Sequence, residues 1–328
     1  MALVGSETLL GKEVREVLQN RTGARVKDFA ANGEGNFGEE EGEAVYVEPL
    51  SPEAIRESRF VVHAGTPEGA AKAYDIARAA NGSVILIDCT GDLEGRPDTR
   101  LFDYDSARPD GSSAWLIGVP HPAAIALDMV LRRLRLAGEI KQAIANIFEP
   151  ASERGKGGVS ELHQQTTSLL SFKPLEKKVF DAQLTFNLLA RYGEEAPTVL
   201  DAVETRIERD LATQLSREPG SIPMPSIRLL QAPVFHGYSI SLWVEFKNAI
   251  STASITESLA SAQIEIRSAD QDAPDVVSAA GQSGLIAGDI RIDRNNPRAA
   301  WLWVVADNLK MVADTAAEIV TQLVEGGR

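Results

Sequence analysis

The first 120 residues of this chain alternate short apolar runs with helical patterns, and that alternation limits the fold more than any other feature. Ala2 to Val4 is a clipped apolar run ending at Gly5, and Leu9, Leu10, Val14 and Val17-Leu18 follow at the spacing of one helix face. Further strand candidates are Arg25 to Ala30, Ala44 to Val47, Phe60 to His63, Val84 to Asp88 and Trp115 to Val119. Thr66-Pro67-Glu68-Gly69 leads into an Ala-rich helix, Ala70 to Ala80, with Pro67 near its first turn. Strands separated by helices need right-handed crossovers, which predicts a Rossmann-like, doubly wound parallel sheet. Asn32 to Gly42, rich in Gly and Glu, reads as a solvated loop.

Beyond residue 120 the pattern changes. Ile125 to Leu136 is a helix pattern, Gln142 to Phe148 a strand, Ser152 to Gly158 a glycine-bearing loop and Ser160 to Leu170 a helix. Two long alternating strands follow, Ser226 to Phe235 and Tyr238 to Phe246, joined at His236-Gly237 by a turn or a bulge. Ser251 to Ala262 reads as a helix, Leu285 to Ile292 and Ala300 to Ala306 as a strand pair, and Asp307 to Val324 as a final helix. Long strands with helices between them predict an α+β region with a mixed, largely antiparallel sheet.

The length of 328 residues suggests about two domains at roughly 150 residues each. Lys and Arg total 33 against 47 Asp and Glu, a net charge of −14 that argues against nucleic acid or an anionic membrane as a partner. A small anion remains compatible, because a local pocket can oppose the global field. With Cys89 alone, no disulfide forms within the chain, and a cytoplasmic location is expected. No window approaches 18 apolar residues and no basic segment precedes the first strand, so neither a membrane span nor a signal peptide is expected.

Val4-Gly5-Ser6-Glu7-Thr8-Leu9-Leu10-Gly11 is a strand ending in glycine that runs into a helix, the setting in which N–H groups hold a pyrophosphate. Gly5 suits a tight turn and Gly11 close helix–sheet packing. Thr8 stands where a middle glycine would let backbone approach phosphates, and Glu7 puts a carboxylate where the anion would sit. The segment is either a turn retained for folding or a dinucleotide site. Cys89 reads as an inert thiol at the end of an apolar strand. His63, His121, His163 and His236 show no metal-ligand spacing, so no metal is expected; His121, at a helix start, is either a loop histidine or an acid/base group, and His236 either a strand residue or an acid/base group. Arg154 and Lys156 beside Gly155 are either an anion-binding loop or a solvated one.

Taken together, several segments resemble the aspartate-semialdehyde dehydrogenase family, and within it the Usg-like branch. They are Gly5 to Gly11, Val84 to Thr90, Pro120 to Leu127, Ala151-Ser152 to Gly155-Lys156, Gln183 to Asn187, Glu204-Thr205, Gln231 to Gly237 and Asp307 to Leu309. They occur in order over nearly the whole chain. The resemblance implies a Rossmann domain over 1–120, a dimerisation domain over 121–306 and a last helix, 307–328, returning to the first domain. The family reduces an acyl phosphate through a cysteine thioester, with a histidine as acid/base, an arginine on the substrate carboxylate and NADPH as hydride donor. In this chain the nucleophile position holds Pro122, the histidine position Tyr238 and the arginine position Gln231. By the same resemblance Gly5, Thr8, Gly11, Ser152, Gly155 and Asn308 are the candidate NADP or NAD contacts. Val312 and Ala316 replace a family glycine and asparagine, and Ser152-Glu153-Arg154-Gly155 keeps only the ends of the family's Ser-Gly-Ala-Gly loop.

Three functions follow from this pattern. The first is a homodimeric homologue that has lost the thioester reaction and binds a small ligand or regulates. The second is an active NAD(P)-dependent semialdehyde oxidoreductase with a rearranged site built on His121 or His236. The third is a regulatory or assembly subunit of a true dehydrogenase. Fold alone does not choose among them.

Overall fold

The structure, a computed structural model, describes residues 1–40, 43–80, 82–103, 114–217 and 222–325. It divides into two compact units, Met1–His121 with Leu309–Arg328, and Pro122–Asn308.

Unit 1 contains β1 (Ala2–Val4), α1 (Leu9–Thr22), β2 (Lys27–Phe29), β3 (Asn36–Glu40), β4 (Glu43–Val47), α2 (Pro52–Arg56), β5 (Phe60–His63), α3 (Pro67–Ala79), β6 (Ile85–Asp88), β7 (Arg100–Leu101) and β8 (Leu116–Gly118). Six strands form a parallel sheet in the order β2-β1-β5-β6-β8-β7. β1 and β5 are buried at every residue, as a parallel sheet covered on both faces requires. α3 turns Ala70, Ala73, Tyr74 and Ala77 to the core, an i, i+3, i+4, i+7 spacing whose small residues let the helix lie close to Val4, Val61 and Leu86.

The expected loop at Asn32 to Gly42 is corrected. Asn36–Glu40 is a strand paired antiparallel with β4, and Glu41 and Gly42 lie outside the described residues. Its Gly and Glu content hid the partner: Phe37 opposes Tyr46, with ring centroids 5.3 Å apart.

Unit 2 contains α4 (Pro122–Ala137), β9 (Ile140–Glu149), a 3-10 turn (Ala151–Arg154), α5 (Gly155–Leu170), α6 (Leu200–Leu215), β10 (Ser226–Gln231), β11 (Tyr238–Phe246), α7 (Thr252–Leu259), β12 (Ile264–Ile266), α8 (Val276–Ala279), β13 (Leu285–Asp293) and β14 (Asn296–Ala306). The sheet order is β10-β9-β11-β14-β13-β12, mixed and largely antiparallel. α4, α6 and α7 pack on one face. The other carries Ile144 and Trp301 in the open, with Trp243 between them in register and Trp303 two residues further along β14. The last helix, α9 (Asn308–Glu325), continues into unit 1 from Leu309.

Three expectations change here. The strand placed over Ser226 to Phe235 stops at Gln231, because Pro233 has no N–H for a ladder and β9, not β11, is the neighbour of β10. The loop at Ser152 to Gly158 is a 3-10 turn followed by helix from Gly155. α6 was not anticipated, although Leu200, Ile207, Leu211 and Leu215 share its buried face. Among the described residues no helix is long and apolar enough to cross a membrane.

Candidate functional site

In unit 1, Gly5 turns the chain at φ +95°, and a Cβ there would fall 2.5 Å from Gly65 Cα. A Cβ on Gly11 would fall 1.8 Å from the Gly5 carbonyl oxygen. Thr8 caps α1: its hydroxyl accepts from Gly11 N–H at 2.8 Å and lies 2.9 Å from the carbonyl of Gly5 and 2.8 Å from that of Ala64. The Thr8 side chain therefore ties the end of β1 to the end of β5, across the switch point where a doubly wound sheet opens its crevice. Glu7 Oε1 accepts from Ala31 N–H at 2.8 Å, beyond β2. A carboxylate and a threonine hydroxyl thus stand where a pyrophosphate needs free N–H groups and no competing anion. The loop does not fit that group.

Unit 2 holds a buried polar network at the carboxyl ends of β9 and β10. Glu149, the last residue of β9, is 0% exposed and forms an ion pair with Arg154. Gln231, the last residue of β10, is also 0% exposed. Its amide nitrogen donates to the carbonyls of Glu149 at 2.7 Å and Ala232 at 3.1 Å, and its oxygen accepts from the Tyr192 hydroxyl at 2.6 Å. Asn308 sits beside this group: its amide donates to Glu153 Oε1 at 2.7 Å and accepts from Gly237 N–H at 3.0 Å, with Ser152 Oγ within 3.2 Å. Burial, then the charges of Glu153 and Glu149, push the Tyr238 phenol well above its ordinary value. Burial and Glu149 do the same to Tyr192.

Gln231, Tyr238, Ser152 and Asn308 are therefore brought together in unit 2, while Gly5, Thr8 and Gly11 gather in unit 1. Pro122 is the buried first residue of α4, and His121 before it is buried as well. Gly155 (φ +60°) starts α5, with no atom near the position of a Cβ. His236 is half-buried on the segment between β10 and β11. Arg154 turns inward to Glu149, whereas Lys156 is exposed, so the two do not share an anion loop. Val312 and Ala316 are buried on α9. Cys89 is buried, and that burial, with Asp88 beside it, raises its thiol pKa well above normal, which disfavours the nucleophilic thiolate. No group of three or more metal-ligating side chains occurs among the described residues.

Sequence reasoning missed Glu149 and Tyr192. The signal for Glu149 lay in β9, where Ala143, Ala145 and Ile147 face the core and Glu149 continues their period of two. Nothing local marked Tyr192. It lies on a long segment after α5 that is held by two buried α5 side chains. Glu161 accepts from Val179 N–H at 2.6 Å, and Gln165 accepts from Leu184 N–H at 2.8 Å and donates to the Ala182 carbonyl at 2.9 Å.

Burial and Glu149, in that order, raise the Glu153 carboxyl pKa. The folded protein then keeps a proton that the unfolded chain releases near 4.5, so this group's stabilisation is present below that pH and is lost as pH rises through the folded pKa. Glu153→Gln keeps an acceptor for Asn308 and is expected to remove the decline, stabilising the protein most at neutral pH. Tm measured from pH 4 to 8 checks this; equal slopes for variant and wild type would contradict it.

Residues 131–311 match the family model described as semialdehyde dehydrogenase, dimerisation domain. The chain is 31% identical over 250 residues to the USG-1 protein homolog of Pseudomonas aeruginosa, covering 75% of this chain and 73% of that protein. It is 25% identical over 335 residues to the aspartate-semialdehyde dehydrogenase of Rickettsia bellii, covering 99% and 97%. Its fold is similar to that of a probable aspartate-semialdehyde dehydrogenase from Pseudomonas aeruginosa, with a TM-score of 0.82, 26% identity and coverage of 98% and 97%. The Rossmann-like sheet, the mixed second sheet and these similarities together make the chain a member of the aspartate-semialdehyde dehydrogenase family.

Proposed function

We propose that this chain is a divergent homologue that does not run the NADP-dependent thioester reaction, and that it serves a binding or regulatory role as a cytoplasmic homodimer. The observation that carries the reading is Gln231. At the position the family resemblance gives to the substrate-binding arginine stands a neutral amide with no exposed surface, whose nitrogen and oxygen are engaged by Glu149, Ala232 and Tyr192. A substrate carboxylate meets a neutral amide there, and Arg154, the cation of the same network, is already paired with Glu149. Pro122 supports the reading because its ring has no nucleophilic atom, and Tyr238 because a buried phenol of raised pKa holds its proton at neutral pH. Glu7 and Thr8 support it on the cofactor side.

Pairing with a second copy is supported by the face of unit 2 that carries Ile144, Trp243 and Trp301 and by the family description of this region. The experiment that tests the proposal is the family reaction itself, with purified full-length chain, aspartate semialdehyde, phosphate and NADP. No NADPH is expected, and turnover proportional to protein would overturn the reading.

A further inference from the structure

The end of α5 carries a side chain that its backbone does not favour. The helix closes in a turn over residues 168–173: the N–H of Phe172 donates to the Leu169 carbonyl at 3.1 Å, and that of Lys173 to the Ser168 carbonyl at 2.8 Å. Such a turn holds its penultimate residue in the left-handed region, the usual place of a glycine. Here that residue is Phe172, at φ +54° and 98% exposed. A phenylalanine in this position strains the backbone, and its ring gains no burial within the chain. Leu170, just before it, is 68% exposed, and Lys173, Lys177 and Lys178 after it are all exposed. Lys178 pairs at the surface with Glu176 at 3.2 Å; Lys173 and Lys177 have no ion pair among the described residues. The result is an apolar knuckle flanked by positive charge.

A second patch of unit 2 has the same build and the opposite sign. Val277 on α8 is 83% exposed, so that Phe172 and Val277 are the two most exposed large apolar side chains among the described residues. Asp270, Asp272 and Asp275 lead into α8 and are all exposed. Asp275 caps the helix, accepting from the N–H groups of Val277 and Ser278 at 2.8 and 2.9 Å, and Asp270 accepts from the Ser268 hydroxyl at 2.5 Å. Asp272 has no hydrogen bond or ion pair with a described residue. Neither patch covers the other within the chain.

We infer that the Phe172 knuckle docks on the acid-flanked Val277 of a second copy of this chain. Each copy carries both halves of the contact, so no other protein is needed to complete it. Apolar anchor meets apolar anchor while three lysines face three aspartates. The net charge of −14 does not forbid this, because at physiological ionic strength charges more than about 8 Å away are largely screened. The contact uses neither the tryptophan face nor the residues at the family's catalytic positions, so it goes beyond the proposed function and stands or falls apart from it.

The test is sedimentation equilibrium of the full-length chain over a range of concentrations, with thermal unfolding alongside. Phe172→Gly is expected to reduce association and yet raise Tm, because glycine takes the left-handed turn without strain. Lys177→Glu and Asp272→Lys should each weaken association by about tenfold or more, since each sets like charges face to face. Mixing those two variants should restore it, because the intact knuckle of one then meets the intact loop of the other. An average mass that neither Phe172→Gly nor Lys177→Glu lowers overturns the inference, even where Trp301→Glu lowers it through the tryptophan face. So does association that Asp272→Lys leaves unchanged, or that mixing fails to restore. Phe172-dependent binding to phosphatidylserine vesicles without self-association would make a membrane the occupant and overturn it equally.

Discussion

Glu149→Ala is expected to destabilise unit 2 by about 3–5 kcal/mol, the cost of breaking a buried ion pair from one side. Arg154 keeps its charge in any protein, and only 13% of its side chain is exposed, so water does not replace the lost partner. Tyr192 keeps its 2.6 Å bond to Gln231, and Glu153 offers Arg154 a weaker second attraction, which places the effect toward the lower end of the range. Even that is a large fraction of the 5–15 kcal/mol typical of a folded domain. Combining Glu149→Leu with Arg154→Met removes both charges and should recover most of the loss, because a buried pair often contributes little over apolar groups of similar size. Urea unfolding followed by tryptophan fluorescence suits the measurement, since Trp243, Trp301 and Trp303 all lie in unit 2. A single-variant loss below about 1 kcal/mol, the scale of an exposed ion pair, would contradict the network.

Gly11→Ala should destabilise unit 1 by about 2–3 kcal/mol through overpacking. The new Cβ would meet the Gly5 carbonyl oxygen at 1.8 Å and its carbon at 2.6 Å, and both are backbone atoms that no rotamer change can move. Alanine's better helix propensity, about 1 kcal/mol in a helix interior, offsets only part of this. Gly157→Ala makes the contrast. That residue is also helical, but its Cβ would meet only Val179 Cγ2, at an ordinary 3.5 Å. Propensity should then decide the sign, and the substitution should be neutral or slightly stabilising. Thermal unfolding of the two variants side by side checks both; equal shifts would show that the α1–β1 approach is looser than the geometry gives.

Much of the fold could be read along the chain because local periodicity encodes it. Phe60–His63 is a continuous apolar run and is a central parallel strand, buried at every residue. Residues 308–325 form a helix where the pattern placed one. The strand at Asn36–Glu40 could not be read this way, since its glycine and glutamates pair only because β4 lies opposite. α6 is hard to read because Asp201, Glu204, Arg206, Glu208, Arg209 and Asp210 interrupt the apolar series Leu200, Ile207, Leu211 and Leu215. At the site, the resemblance pointed to Gln231, Tyr238 and Pro122, and the period of two along β9 marks Glu149 as buried, yet no pattern announced that Glu149 and Tyr192 meet Gln231. Tyr192 is 39 residues from it and Glu149 is 82, and no helical or strand period links positions so far apart. The glycine-bearing stretch after Ser152 suggested an open loop with free cations, but Arg154 has its counter-charge at the end of β9.

The central claim is that the positions which carry the family's chemistry hold Pro122, Tyr238 and Gln231, the last of them engaged by Tyr192 and by the backbone of Glu149 and Ala232 rather than by a substrate. The most direct measurement is steady-state NADPH formation by the full-length chain with aspartate semialdehyde, phosphate and NADP, run beside an active family member under the same conditions. The account predicts a rate indistinguishable from the protein-free background at every protein concentration. A rate that rises in proportion to protein, and that persists in a Cys89→Ser variant so that the lone thiol is not its source, would contradict it.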